Sequence, residues 1–237
     1  MIDKSRFANT CGEYGISLTA RQLDMFDKYR EILVEYNEKV NLTAITDPVG
    51  IENKHFLDSL LFAKNPLVEG KVVDVGTGAG FPGIVAKIYK PEIELTLMEP
   101  TGKRCTFLQY AIDTLGLQAT VVKERAEEAA RKIYRESFDV ATARAVADMR
   151  VLSEYCLPLV KVGGHFIAMK GDGEKELAPA VKAINRLGGA YVKTEDFTLP
   201  DDSKRCLIIC KKRESTPKSL PRNGGKIAKS QIGRAHV

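Results

Sequence analysis

No apolar run in this 237-residue chain approaches the ~18 residues that a membrane-spanning helix requires. The opening segment, MIDKSRFANTCGEYG, lacks the apolar core of a secretory signal. The chain therefore reads as a cytoplasmic protein with no membrane contact. Cysteine is sparse and unpaired in pattern. Cys11, Cys105, Cys156, Cys206 and Cys210 are odd in number and include no CxxC. Cys206 and Cys210 stand four apart, on one face of a strand, which does not suit zinc. Free thiols and no metal are expected. An evident His–carboxylate pair is missing too, so general-base chemistry has no obvious carrier. Acidic charge is nearly absent from residues 211–237, where eight Lys or Arg face Glu214 alone, although the whole chain carries only +5. A basic tail on a near-neutral body suits a polyanionic partner. It equally suits a solvated tail that only aids solubility.

Hydrophobic content of 44% and charged content of 28% are those of an ordinary globular chain. In residues 19–40 the apolar positions Leu23, Phe26, Tyr29, Ile32, Leu33 and Tyr36 follow helical spacing, with Thr19 placed to cap. Residues 50–62 suggest a second helix with Phe56, Leu57, Leu60 and Leu61 on one side, ended by Asn65-Pro66. From Lys71 short β-branched runs alternate with helical stretches. Strands are predicted at 72–75, 94–98, 119–122, 138–142, 165–169, 191–199 and 204–211. Helices are predicted from Pro82, at 103–115, near 127–132, at 149–157 and at 174–187. Alternation of this kind predicts an α/β fold with a mostly parallel sheet covered on both faces. The last two strands are joined only by Asp201-Asp202-Ser203, so they should pair as an antiparallel hairpin. The expected organisation is a helical extension over 1–66, a Rossmann-like core over 67–213 and a basic, flexible tail over 214–237.

The densest chemical signal is KVVDVGTGAGFPG, residues 71–83. Gly76, Gly78 and Gly80 follow a strand end and let backbone lie against a ligand. The next strand ends in Glu99, placed to accept hydrogen bonds from ribose hydroxyls. Gly78-Ala-Gly80-Phe-Pro-Gly83 also matches the dinucleotide fingerprint, so an NAD-dependent oxidoreductase is one reading. Asp74 beside the turn argues for a cationic nucleoside instead, because pyrophosphate would meet a negative charge there. S-adenosylmethionine carries an ammonium and a sulfonium and no phosphate. A third reading is a non-catalytic RNA-binding or assembly factor.

The pieces YNEKVNLTAIT, HFLDSL, VVDVGTGAGFPG, Gly102-Lys103-Arg104, Arg125-Ala126-Glu127, TARAVA, AMKG and Thr216-Pro217-Lys218 with Pro221-Arg222 run nearly end to end. In their order and spacing the chain resembles the small-subunit ribosomal RNA methyltransferase G family, also called glucose-inhibited division protein B. That resemblance implies a class I S-adenosylmethionine-dependent fold with a seven-stranded sheet. It implies methylation of N7 of one guanine in small-subunit (16S) rRNA, with that RNA or the ribosomal particle as partner. It also implies cofactor contacts at Gly76, Phe81, Ala126, Glu127 and Arg144. Tyr36 stands where the family often has Trp, and Glu99 where it often has Asp. The ending KIAKSQIGRAHV departs from the family's Pro/Lys-rich end, so sequence after about residue 225 is read as altered and Arg234 and His236 receive no role. Candidate RNA contacts are Asn41 and His55 from the helical lead-in, Lys103, Arg104 and Lys170 at the edge of the core, and Lys218 and Arg222 in the tail. Asn41 also reads as a turn residue, His55 as a structural imidazole and Lys103-Arg104 as ordinary helix-surface charge. A monomer is expected.

Overall fold

The computed structural model describes residues 1–171 and 173–232; Arg234 and His236 lie outside the described residues. The seven strands are β1 (Lys71–Val75), β2 (Glu94–Met98), β3 (Ala119–Val122), β4 (Phe138–Arg144), β5 (Val160–Lys170), β6 (Gly189–Thr198) and β7 (Lys204–Lys212). They form one sheet in the order β3-β2-β1-β4-β5-β7-β6. β1 pairs in parallel with both β2 and β4, while β7 runs antiparallel to β5 and β6. The hairpin tip closes through Leu199 N–H to Ser203 O at 2.9 Å, as the short polar linker predicts. Strand order reverses between β1 and β4, so the crevice at their carboxyl ends is where a ligand is expected in such a sheet.

Alternation along each strand sorts the core into two layers. Val72, Leu95, Leu97, Val140, Ile167, Leu207 and Ile209 face one side. Val73, Val75, Ala141, Phe166, Cys206, Ile208 and Cys210 face the other. Cys206 and Cys210 thus share a face, and all five cysteines are free thiols. β5 starts five residues earlier than its apolar run indicates. Its first half is broken by Gly163-Gly164 and pairs with β4 through a register shift, so the hydrophobic period there is too weak to read.

The lead-in packs on the first layer. α1 (Lys4–Glu13), which the sequence pattern did not reveal, is capped by the Asp3 carboxylate and buries Phe7 and Cys11. α2 (Ala20–Asn37) carries the expected Thr19 cap, completed by Gln22 in a reciprocal box. The next helical stretch is not one regular helix. It comprises α3 (Pro48–Gly50), a π-helical segment over Ile51–Leu57 and α4 (Asp58–Ala63). Phe7, Phe26, Tyr29, Phe56 and Phe81 form a chain of ring contacts with centroids 5.0–6.2 Å apart. The extension and the sheet therefore share one core. α5 (Gly83–Tyr89) and α6 (Gly102–Leu115) lie on the same side. The other side takes α7 (Ala126–Ala129), α8 (Met149–Cys156) and α9 (Gly173–Arg186).

The expectation of a loose tail is corrected for residues 214–232. Leu220, Ile227 and Ile232 are buried, and α10 (Gly224–Lys229) begins at an Asn223 cap. The Arg135 guanidinium donates to the carbonyls of Thr216 at 2.6 Å and Leu220 at 2.9 Å. Lys212 is wholly buried against Glu136, Leu157 O and Thr216 Oγ1. Basic composition suggested solvation, but scattered apolar residues and internal acceptors hold this segment down.

Candidate active site

β1 delivers the chain into the glycine loop. Gly76 N–H donates to Met98 O at 2.8 Å, and Gly76, Gly78 and Gly80 all have positive φ. Their roles differ. A Cβ on Gly78 would enter open space, the nearest atom being Gly76 O at 4.0 Å. A Cβ on Gly80 would lie 2.6 Å from the Tyr29 hydroxyl, which itself donates to Ala79 O at 2.5 Å. Gly78 is the bare surface of the loop, whereas Gly80 admits Tyr29 beneath it. At Gly80 the absent side chain makes room for packing, and Gly80 is off the cleft lining.

Asp74 does not face the cleft. Its buried carboxylate accepts from Thr77 Oγ1 at 2.6 Å and from Gly83 N–H at 2.8 Å. It therefore braces the turn and holds the first N–H of α5, which explains why that helix starts at Gly83 rather than Pro82. Burial pushes its pKa up to about 6, against the opposing pull of those two hydrogen bonds. Among the described residues its buried Oδ1 has no partner. Glu99 ties the tip of β2 to the same loop, accepting from Gly78 N–H at 3.1 Å and Thr101 N–H at 2.9 Å. Ala126 and Glu127 open α7 after β3, and Glu127 Oε1 is likewise buried and unpartnered.

A cleft of about 600 Å³ opens at the β1/β4 switch. Gly76, Gly78 and Phe81 line it from the loop, Arg144 from the end of β4, Arg104 from α6 and Lys170 from the end of β5. The helical lead-in closes it with Leu42, Thr43, Ile45 and His55. A wider groove of about 950 Å³ lies at the amino edge, around Lys71, Glu94 and Ala119. It holds none of the glycine-loop residues, so chemistry selects the smaller cleft.

Arg144 is the hub. Nη1 donates to Lys54 O at 2.8 Å and to Asp58 Oδ2 at 3.0 Å, and Nη2 lies 3.2 Å from His55 Nδ1. The guanidinium sits 5.0 Å from the Phe81 ring centroid, and the His55 ring stacks on that ring at 4.5 Å. Burial, then Arg144, lowers the His55 pKa to about 3. His55 is thus a neutral structural imidazole on the cleft wall. Lys170 is not a free cation: it is held by Glu176 at 2.6 Å and by Ala147 O. Arg222 is committed to the buried Glu154, with Nη2 to Oε2 at 2.6 Å. Asn41, Lys103 and Lys218 are exposed and off the cleft lining. Arg205 lines the cleft and lies 3.5 Å from Asp58, yet the sequence reading missed it. The signal was there: an antiparallel β7 must begin beside the end of β5, and Cys206 pairs with Lys170.

A family model described as rRNA small subunit methyltransferase G matches residues 22–199. The chain is 48% identical over 230 residues to ribosomal RNA small subunit methyltransferase G of Halalkalibacterium halodurans, covering 94% of this chain and 97% of the relative. It is 47% identical over 240 residues to the protein of that name from Geobacillus kaustophilus, covering 98% and 100%. Among solved structures, a protein of Listeria monocytogenes described as a class I S-adenosylmethionine-dependent methyltransferase has a TM-score of 0.58 at 11% identity, covering 81% of this chain and 71% of that one. A SAM-dependent O-methyltransferase of Thermotoga maritima has a TM-score of 0.53 at 15% identity, covering 78% and 72%. At these identities the structural likeness speaks for the fold: a class I S-adenosylmethionine-dependent methyltransferase architecture.

Proposed function

The chain belongs to the rRNA small subunit methyltransferase G family, and from that membership we propose that it methylates N7 of a specific guanine in small-subunit rRNA. S-adenosylmethionine, when bound, supplies a methyl group on a positively charged sulfur. The observation that carries the reading is the cleft at the β1/β4 switch, floored by the bare Gly78 backbone and walled by Arg144. The residues present fit such a donor. Gly78 leaves the space a side chain would fill; Glu127, after β3 and off the cleft lining, has an Oε1 without a partner among the described residues and suits an N–H donor such as an adenine amine. We assign Gly76, Gly78, Phe81, Glu99, Ala126, Glu127 and Arg144 to the donor side. Asp74 acts at one remove, by fixing the loop.

Guanine N7 carries a lone pair and no proton, so the chain needs no general base. His55, buried, neutral and engaged by Arg144 and Thr43, agrees with that requirement. The protein's contribution is to hold the acceptor nitrogen in line with the methyl and to exclude water. N7 lies on the deep major-groove edge of A-form RNA, so the target must be a loop base or one swung out of its stack. Asn41, exposed on the loop over the cleft, is assigned to the base edge. Arg104, Lys103 and Lys218 are assigned to backbone phosphates. Action on ribosomal RNA fits a cytoplasmic enzyme. No described helix is long and apolar enough to cross a membrane. Incubation of small-subunit rRNA with enzyme and donor, followed by mass spectrometry, should find one new 7-methylguanosine. Methyl incorporation at another atom, or none, overturns the assignment.

A further inference from the structure

Arg144 receives three acceptors from one short stretch, Lys54 O, Asp58 Oδ2 and His55 Nδ1. The stretch is π-helical over Ile51–Leu57. Wide turns of this kind recur at functional sites. An arginine only donates, so His55 Nδ1 must be its unprotonated acceptor. The single ring proton then sits on Nε2, which lies 2.8 Å from Thr43 Oγ1. Thr43 is itself fixed. Its hydroxyl accepts from Ile45 N–H at 3.0 Å, its N–H donates to Asn37 Oδ1 at 3.0 Å, and its carbonyl accepts from Asn37 Nδ2 at 3.0 Å. The chain of bonds therefore runs from the end of α2, through the loop over the cleft, to the guanidinium at the end of β4. The imidazole stacks on Phe81, and Ser59 Oγ donates to the His55 main-chain carbonyl at 2.6 Å. Nothing in this arrangement leaves a His55 ring nitrogen free for substrate.

We propose that Thr43 and His55 are positioning residues for Arg144: they fix the neutral Nε2–H tautomer of His55, whose Nδ1 aims the Arg144 guanidinium at the methyl donor. His55 then has no direct RNA contact. The proposal rests on the reading that Arg144 contacts the donor. Among the described residues Nε and one N–H of Nη2 carry no hydrogen bond, which leaves donors for that purpose.

Calorimetry with S-adenosylmethionine and filter binding with small-subunit rRNA, on the full chain and its variants, test this. His55→Leu should weaken donor binding about ten-fold and raise the donor KM with little change in kcat, because a half-buried Arg144 N–H loses its acceptor. His55→Gln should stay within about two-fold of the parent, since its amide oxygen accepts from Arg144 and its amine donates to Thr43. RNA affinity should hold in both. Loss of RNA affinity with donor affinity intact, or a Gln variant as impaired as Leu, overturns the proposal. Arg144→Ala separates the two claims. If that variant binds donor normally, the reading of Arg144 is wrong; if it fails while His55→Leu binds normally, only the positioning claim is. Nitrogen-15 imidazole spectra of the unaltered protein supply a readout independent of variant folding. A neutral Nε2–H ring that does not titrate between pH 8 and 5 is expected, and a protonated Nδ1 overturns the assignment.

Discussion

His55 should make this protein acid-sensitive by an amount the structure sets. Its pKa is lowered from the ordinary histidine value, about 6.5, to about 3, chiefly by burial and next by the Arg144 charge. The folded state thus refuses a proton that the unfolded chain accepts. The resulting stabilisation is complete above pH 6.5 and is lost as pH falls from 6.5 toward 3. Between pH 7 and 5 the unfolded state gains nearly one proton and the folded state gains none at this site, a loss of about 2 kcal/mol. The figure is insensitive to the folded value so long as that stays below 5. Asp74 pulls the other way. Its folded pKa, raised to about 6, lets the folded state take up a proton that the unfolded carboxyl does not bind until lower pH. That contributes about 1 kcal/mol of stability over the same interval. The wild-type change is therefore a partial cancellation, and the variant His55→Gln isolates the histidine. Urea unfolding at pH 7 and pH 5 measures both. The variant should gain about 2 kcal/mol relative to wild type on going from pH 7 to 5, or about 4–8 °C in midpoint for a chain of this size. Equal changes in the two proteins, within about 0.5 kcal/mol, would mean that His55 is hydrated or protonated in the fold, and the reasoning about burial would fall.

Gly78→Val should reduce donor affinity more than 100-fold, since a β-branched residue at φ +60 is strained and its side chain would fill the cleft floor; unchanged affinity by calorimetry would refute that placement. Arg222→Ala should destabilise by about 3–5 kcal/mol in chemical denaturation, because it strands the buried Glu154 carboxylate; Lys218→Ala, exposed on the same segment, should change stability by no more than about 0.5 kcal/mol. Lys103→Ala should lower the slope of log RNA affinity against log salt by about one and leave donor affinity unaltered, and an identical slope would show that Lys103 meets no phosphate.

The strands were readable because a buried parallel sheet demands continuous β-branched runs, and the limits of β2 and β3 agree with their apolar segments to the residue. The glycine loop was readable for the same local reason: positive φ at alternate positions, Gly76, Gly78 and Gly80, calls for glycine. The tail was misread because composition carries charge but not partners. Glu154 and Arg135, which hold Arg222 and the carbonyls after Thr216, are about seventy and eighty residues away along the chain. The pairing of Lys170 was not readable either, since a strand-end lysine shows nothing of the glutamate on the next helix. Asp74 was identified as important, but that its Oδ2 braces the loop through Thr77 and Gly83 could not be read from the sequence.

Sequence alone determined the seven strands and the helices between them, the antiparallel final pair and the bare turn after β1, because each is written in short-range spacing; the family resemblance came from motifs spread along the chain. Only the tertiary structure decided which charges are spent internally, that His55 is buried against Arg144 and Phe81, and that the lead-in closes the cleft. Those outcomes depend on burial and on partners far apart in the chain, and both come into being only when the two core layers pack.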